Sequence, residues 1–212
     1  MGKNSFIVNN EFYENEYKNL CKIFNAHHPD CKEIKLILEN KDYFERMKNL
    51  VLSDRRGEVV FCVIRPNGKI IAITCEGYPN DIYRIPTGGL GYNEKVLEAL
   101  FREVKEELGL EVEIVKFSGV LKINFIFENE SFMFYSYLFI LKELSGVLLK
   151  DALDDEISDV KEVSPKELQF VIERLKCING RWKDWGRFRY ITSNAVVEEL
   201  KNINIDGLKK NR

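Results

Sequence analysis

The six residues Val59 to Ile64 (VVFCVI) are apolar at every position. A strand with one face in water alternates polar and apolar side chains, so a strand without alternation is expected to be covered on both faces. Arg-Pro-Asn-Gly follows at residues 65–68, and a second β-rich run, KIIAITC, comes after it, which predicts a hairpin. Two further strands are expected in EVEIVKFSGVLKINFIF and SFMFYSYLFILKEL, separated by a turn at ENES, and a short one in DVKEVS. Helices interrupt these strands. Ser164, Pro165 and Glu167 form a capping-box start for one helix, and TSNAVVEELKNI reads as the last. The expected class is α/β (α+β), with helices packed on both sides of a mixed sheet.

Residues 1–55 have a different texture. Tyr13, Tyr17, Leu20 and Phe24 recur at helical spacing, Pro29 ends that pattern, and Phe44, Met47 and Val51 suggest another helix. The expected organisation is a small helical N-terminal appendage over 1–55 and a main domain over 56–212.

Charge narrows the partners. Lys and Arg total 32 against 34 for Asp and Glu, so no global basic field favours nucleic acid. No apolar stretch approaches the ~20 residues that span a bilayer, and the N-terminus has no apolar core of signal-peptide length. Five scattered cysteines, an odd number, suggest free thiols in the cytoplasm. Cys21, His27, His28 and Cys31 lie close in sequence, but their spacing matches no standard zinc site, and no zinc is expected there.

The chemistry concentrates in GGLGYNEKVLEALFREVKEELGL, residues 88–110. A helix from an Asn93 N-cap to Gly109 at its C-terminal end would gather Leu97, Leu100, Phe101, Val104 and Leu108 into one apolar stripe. Glu103, Glu106 and Glu107 would form a second stripe beside it, with Ala99 among them leaving room above the helix, while Lys105 and Glu98 fall on the remaining face. Three neighbouring carboxylates repel one another, and only Arg102 borders them. Such an oxygen-rich cluster suits Mg2+ or Mn2+, and Gly88 and Gly89 let backbone approach it closely.

Gly88, Glu94, Arg102, Glu103, Val104, Glu106, Glu107, Gly109 and Leu110 together resemble the complete box of the Nudix hydrolases, and the surrounding strands extend the resemblance over about residues 56–175. The resemblance implies an α/β/α sandwich and divalent-metal-dependent hydrolysis of a nucleoside diphosphate derivative. It implies metal ligation by Glu106 and Glu107, with Glu103 as a further ligand or as the base. Arg102 would orient the carboxylates, Glu94 would support the loop, and the carbonyl of Thr87 would meet metal. Many members have glycine at that last position, but a carbonyl needs no particular side chain. Arg84, Gly88 and Gly89 are candidate substrate contacts. Glu156, in the acidic segment DDEISDVKEV, sits where some members supply another ligand, base or substrate contact, and a surface carboxylate is the alternative.

The attached group is not specified by the box. Ile126 stands where many ADP-ribose pyrophosphatases have proline, and the marks of the coenzyme A and NADH pyrophosphatases are missing. A nucleotide sugar or ADP-ribose is placed ahead of nucleoside triphosphates. The alternative is a non-catalytic nucleotide sensor, and a homodimer is kept open. In RWKDWGRFR, residues 181–189, the tryptophans are expected to dock the C-terminal helix with the cations at the rim, rather than stack on a base.

Overall fold

In the computed structural model, residues 7–8, 10–26, 30–150, 152 and 156–208 are described. The chain runs β1 (Ile7–Val8), α1 (Glu14–Ile23), β2 (Asp30–Ile37), α2 (Lys41–Ser53), β3 (Arg55–Ile64), β4 (Ile70–Cys75) and β5 (Thr87–Gly91). Next come α3 (Val96–Glu103), a π-helical turn (Val104–Leu108), β6 (Leu110–Phe127), β7 (Glu130–Gly146), β8 (Ile157–Val163), α4 (Pro165–Lys176) and α5 (Lys183–Leu200).

One mixed sheet is ordered β2-β6-β7-β3-β4-β8, with β1 beside β7 and β5 beside β3. The β2/β6 and β3/β7 pairs are parallel, while β6/β7, β3/β4, β3/β5 and β4/β8 are antiparallel. The expected hairpin closes where Arg65 N–H donates to the Lys69 carbonyl at 2.8 Å, and Gly68 supplies the left-handed turn residue at φ 81°.

The fully apolar strand β3 divides its side chains between two cores. Val59, Phe61 and Val63 join Leu20 of α1 and Val96, Ala99 and Leu100 of α3. Val60, Cys62 and Ile64 join Phe44 and Met47 of α2, Leu168 and Ile172 of α4, and Phe188 and Val196 of α5. The architecture is therefore helices on both faces of a mixed sheet. Each large apolar side chain buried this way contributes about 1.5–3 kcal/mol.

Two boundaries differ from the sequence reading. Residues 30–37, within the stretch expected to be helical, form β2 and pair with β6 from Asp30↔Gly119 to Ile37↔Ile126. Ile34, Leu36 and Leu38 alternate at the period of a strand, and burying Leu36 and Leu38 against α2 outweighs the polar residues between them. The last helix begins at Lys183, earlier than expected, because Trp185 and Phe188 extend its buried face. The α4 start is as expected: Ser164 Oγ accepts from Glu167 N–H, and the Glu167 carboxylate accepts from Ser164 N–H at 2.7 Å. No helix among the described residues is long and apolar enough to cross a membrane.

Candidate active site

The acidic helix lies between β5 and the left-handed Gly109 (φ 70°), whose N–H closes onto the Lys105 carbonyl at 3.0 Å. Its beginning differs from expectation. Asn93 is not the N-cap, and α3 starts at Val96. Residues 91–94 are held in a turn instead, with Gly91 N–H donating to Glu94 Oε2 at 3.2 Å. The first free amide of α3, Val96 N–H, donates to Glu16 Oε1 on α1 at 2.9 Å, so a distant segment caps this helix.

The apolar stripe also shifts. Val96, Ala99, Leu100, Val104 and Leu108 are buried, whereas Phe101 is 45% exposed. Ala99, Glu103 and Glu107 are spaced by four and form one row on the buried side. Ala99 therefore fills core instead of opening space above the helix. Glu103 and Glu107 extend that row at its far end, where α3 widens into the π turn, a distortion frequent at functional sites.

Arg102 connects the acidic residues. Its Nε and Nη2 donate to the two oxygens of Glu94 at 2.7 and 3.0 Å. Nη1 donates to Glu103 Oε1 at 2.9 Å and Glu106 Oε2 at 2.8 Å, and Nη2 also reaches the Gly89 carbonyl at 3.1 Å. A planar guanidinium suits this forked arrangement. The hydrogen bond from Arg102 holds the Glu94 carboxyl below its ordinary value despite partial burial. Burial pushes Glu103 the other way, up, with Arg102 opposing the rise and Glu106 adding to it.

Gly88 lies directly against Glu103. A Cβ added there would sit 2.1 Å from Glu103 Cγ, so only glycine permits this approach of β5 to the helix. A Cβ on Gly89 would stand 2.8 Å from the Arg55 guanidinium. Thr87 is buried, and its Oγ1 accepts from Arg84 Nη1 at 3.1 Å. Arg84, also buried, donates to the Ile85 carbonyl at 3.0 Å and to Tyr78 Oη at 3.2 Å.

Glu107 is the most enclosed of the three carboxylates. Its Oε2 is buried with no hydrogen-bond partner. Burial raises its pKa to about 8, the charges of Glu103 and Glu156 add to the rise, and Arg84 and Arg189 oppose it. Glu156 is exposed yet within electrostatic reach of Glu107, while Asp154 and Asp155 of the same acidic segment lie outside the described residues. Glu103 and Glu106 turn toward Arg102. Among the described residues no three His, Cys, Asp or Glu side chains close into a ready-made cation site.

Residues 181–189 behave mostly as expected. Trp185 is buried, with ring centroids 4.5 Å from Tyr78 and 5.4 Å from Trp182, and Phe188 packs 5.1 Å from Phe125. Lys183 pairs with Glu39 at the surface, and Arg187 donates to the Ile37 carbonyl. Arg189 is the exception. It points inward to Glu58, a buried carboxylate of β3, and its charge reaches Glu107. Arg189 was expected at the rim with the other cations of this stretch and instead turns inward, while Glu58, one glutamate before an apolar run, has no distinctive pattern in the sequence. Cys21 is partly buried and Cys31 exposed, and His27 and His28 lie outside the described residues.

A family model for the NUDIX domain matches residues 54–185. No curated protein matches the chain significantly. Many solved structures are similar to it, three of them as follows. One is a Listeria monocytogenes protein described as a NUDIX hydrolase (17% identity, 73% of this chain and 99% of that one, TM-score 0.47). Another is the Escherichia coli dihydroneopterin triphosphate pyrophosphohydrolase (14%, 71% and 98%, TM-score 0.46). The third is an ADP-ribose pyrophosphatase of Streptococcus suis (15%, 68% and 90%, TM-score 0.40).

Proposed function

The chain belongs to the Nudix family, and from that premise we propose that it is a divalent-metal-dependent pyrophosphohydrolase cleaving the diphosphate linkage of a nucleoside diphosphate derivative. The observation that carries this reading is the buried, unpartnered Oε2 of Glu107, on the same short segment as Glu103 and Glu106. A buried carboxylate oxygen left without a donor is costly unless something else meets it. Oxygen donors of this kind fit Mg2+, with Mn2+ as a second choice.

Glu103, Glu106, Glu107 and the Thr87 carbonyl would hold the ion. When bound, it supplies a lowered water pKa and neutralises phosphate oxygens. The chain's own residues do the rest. Arg102 holds Glu94 and aligns Glu103 and Glu106 through charge-assisted hydrogen bonds. Glu103, where it does not itself ligate the ion, would take a proton from the attacking water. Gly88 and Gly89 allow close backbone approach, Arg84, whose donors are held by Ile85, Thr87 and Tyr78, would offer phosphate its charge rather than a free donor, and Glu156 would be a substrate contact at the exposed rim.

A nucleotide sugar or ADP-ribose is favoured over nucleoside triphosphates because the chain is longer than the catalytic core needs. The five cysteines are all free thiols, which fits a reducing compartment such as the cytoplasm. The test is product release from a panel of nucleotide sugars, ADP-ribose, nucleoside triphosphates and non-nucleotide diphosphates with Mg2+. Mg2+-dependent turnover of a nucleoside diphosphate derivative is expected. Turnover of non-nucleotide diphosphates alone would overturn the substrate class, and tight nucleotide binding without turnover would replace the hydrolase by a sensor. Light scattering on the same preparation tests the homodimer.

A further inference from the structure

A cavity of about 720 Å3 lies between α1 and the turn that leads into α3. It stands at the beginning of α3, on the far side of Glu94 from the acidic cluster, and it borders that cluster's network because Arg102 bonds Glu94, Glu103 and Glu106 together. Its volume is within the range of small-ligand sites.

Its acidic groups are already committed. Glu16 accepts from Arg56 at 2.7 Å and from Val96 N–H, and the Glu94 carboxylate is held by Arg102. Its lysines are much less engaged. Lys22 has no ion pair among the described residues, Lys18 stands 3.6 Å from Glu14, and Lys95 stands 3.2 Å from Glu98. The lysines therefore set the sign of the cavity, and it favours an anion.

Two tyrosines supply flat surfaces. The Tyr92 hydroxyl donates to the Val51 carbonyl, which fixes its ring, and the Arg56 guanidinium backs the Tyr13 ring at 4.3 Å. The side-chain amides of Asn15, Asn19 and Asn93 also line the cavity, and none makes a side-chain hydrogen bond within the described residues. Free amides match the mixed donor and acceptor edge of a heterocyclic base, and aromatic rings match its face.

We propose that this cavity is a second binding site, beside the hydrolytic centre and sharing only Glu94 with its network, and that it takes a nucleoside phosphate. The base would meet Tyr13, Tyr92 and the amides, and the phosphate would meet Lys18, Lys22 and Lys95. Nothing in this assignment depends on hydrolysis at the acidic helix.

Nucleoside monophosphates have no diphosphate linkage to cleave, so they serve as probes. Calorimetric titration of the full chain with AMP, GMP, UMP, CMP and ribose 5-phosphate, in Mg2+-free buffer, measures the site directly. At least one nucleotide is expected to bind, and ribose 5-phosphate is expected to bind at least tenfold more weakly. Lys18→Ala/Lys22→Ala should weaken nucleotide binding at least tenfold while leaving melting temperature and hydrolysis unchanged, and Glu106→Gln should leave binding intact. Failure of every probe, or indifference to the lysine double variant, overturns the site. Loss of binding in Glu106→Gln would move the ligand to the hydrolytic centre and overturn it too. Equal binding of ribose 5-phosphate would overturn the nucleoside assignment.

Discussion

Arg189 Nη1 donates to Glu58 Oε2 at 2.6 Å, joining α5 to β3 across 131 positions of sequence. The other Glu58 oxygen accepts from Ser136 Oγ at 2.8 Å. Both charged side chains are largely buried, so removing one strands the other, a change that costs ~3–5 kcal/mol. Arg189→Met should lower the urea unfolding free energy by about 3 kcal/mol or more. Adding Glu58→Gln should recover part of that loss. Simple additivity of the two single effects would show that the pair is not coupled.

Glu107 makes the metal-free protein sensitive to alkali. Its carboxyl titrates near 4.5 ordinarily and near 8 in the folded chain. Across that window the native state keeps a proton that the unfolded state has released. The stabilising contribution is thus complete below the lower value and lost as pH rises toward and through the upper one. With EDTA present, the melting temperature should fall over this window, and Glu107→Gln should flatten the fall. Mg2+ should raise the melting temperature most at the alkaline end, where the carboxylate is ionised. Parallel pH profiles for the two proteins would refute the assignment.

Glu106→Gln should reduce kcat by roughly 10²–10³, the usual cost of losing one electrostatic group at a reacting centre. Arg102 keeps its bonds to Glu94 and Glu103 in that variant, so melting temperature should stay level or rise slightly. Glu98, exposed on the same helix, provides the control: Glu98→Gln should change neither. Both are measured across a Mg2+ titration. Equal activity of the two variants would sink the metal-site reading, and so would a Glu106→Gln defect accounted for by unfolding.

Trp185→Ala should destabilise the protein by ~3–5 kcal/mol, because its indole is buried against Tyr78 and Trp182. Thermal unfolding measures this. Unchanged stability with a sharply raised KM would make Trp185 a substrate platform instead.

The sandwich was legible in the sequence wherever a side-chain pattern carried it. The unbroken apolar run of β3, the Pro-Asn-Gly turn and the Ser164 capping box each have a local physical cause, and each stands where expected. The acidic helix was legible in composition but less so in phase. Its first turn is held by Glu94 and capped by Glu16, a tertiary hydrogen bond that spacing cannot reveal, and its last turn widens into π geometry. That is why Asn93, Phe101 and Ala99 stand differently from an ideal α-helical reading. β2 was missed because its alternation is short, running only over Ile34, Leu36 and Leu38, with Lys32 on the same phase before them. Arg189 and Glu58 acquire meaning only as a pair, and a pair 131 positions apart has no one-dimensional signature.

The strand at the centre of the sheet has no side that tolerates water. With Val59, Phe61 and Val63 on one face and Val60, Cys62 and Ile64 on the other, docking only one helical layer would leave a continuous greasy ribbon bare. A half-assembled chain would therefore offer that ribbon to its neighbours, and partial unfolding would end in clumping rather than in a soluble intermediate. Damage to either helical layer should then appear first as lost solubility on heating, even when the damaged residue is remote from the acidic helix.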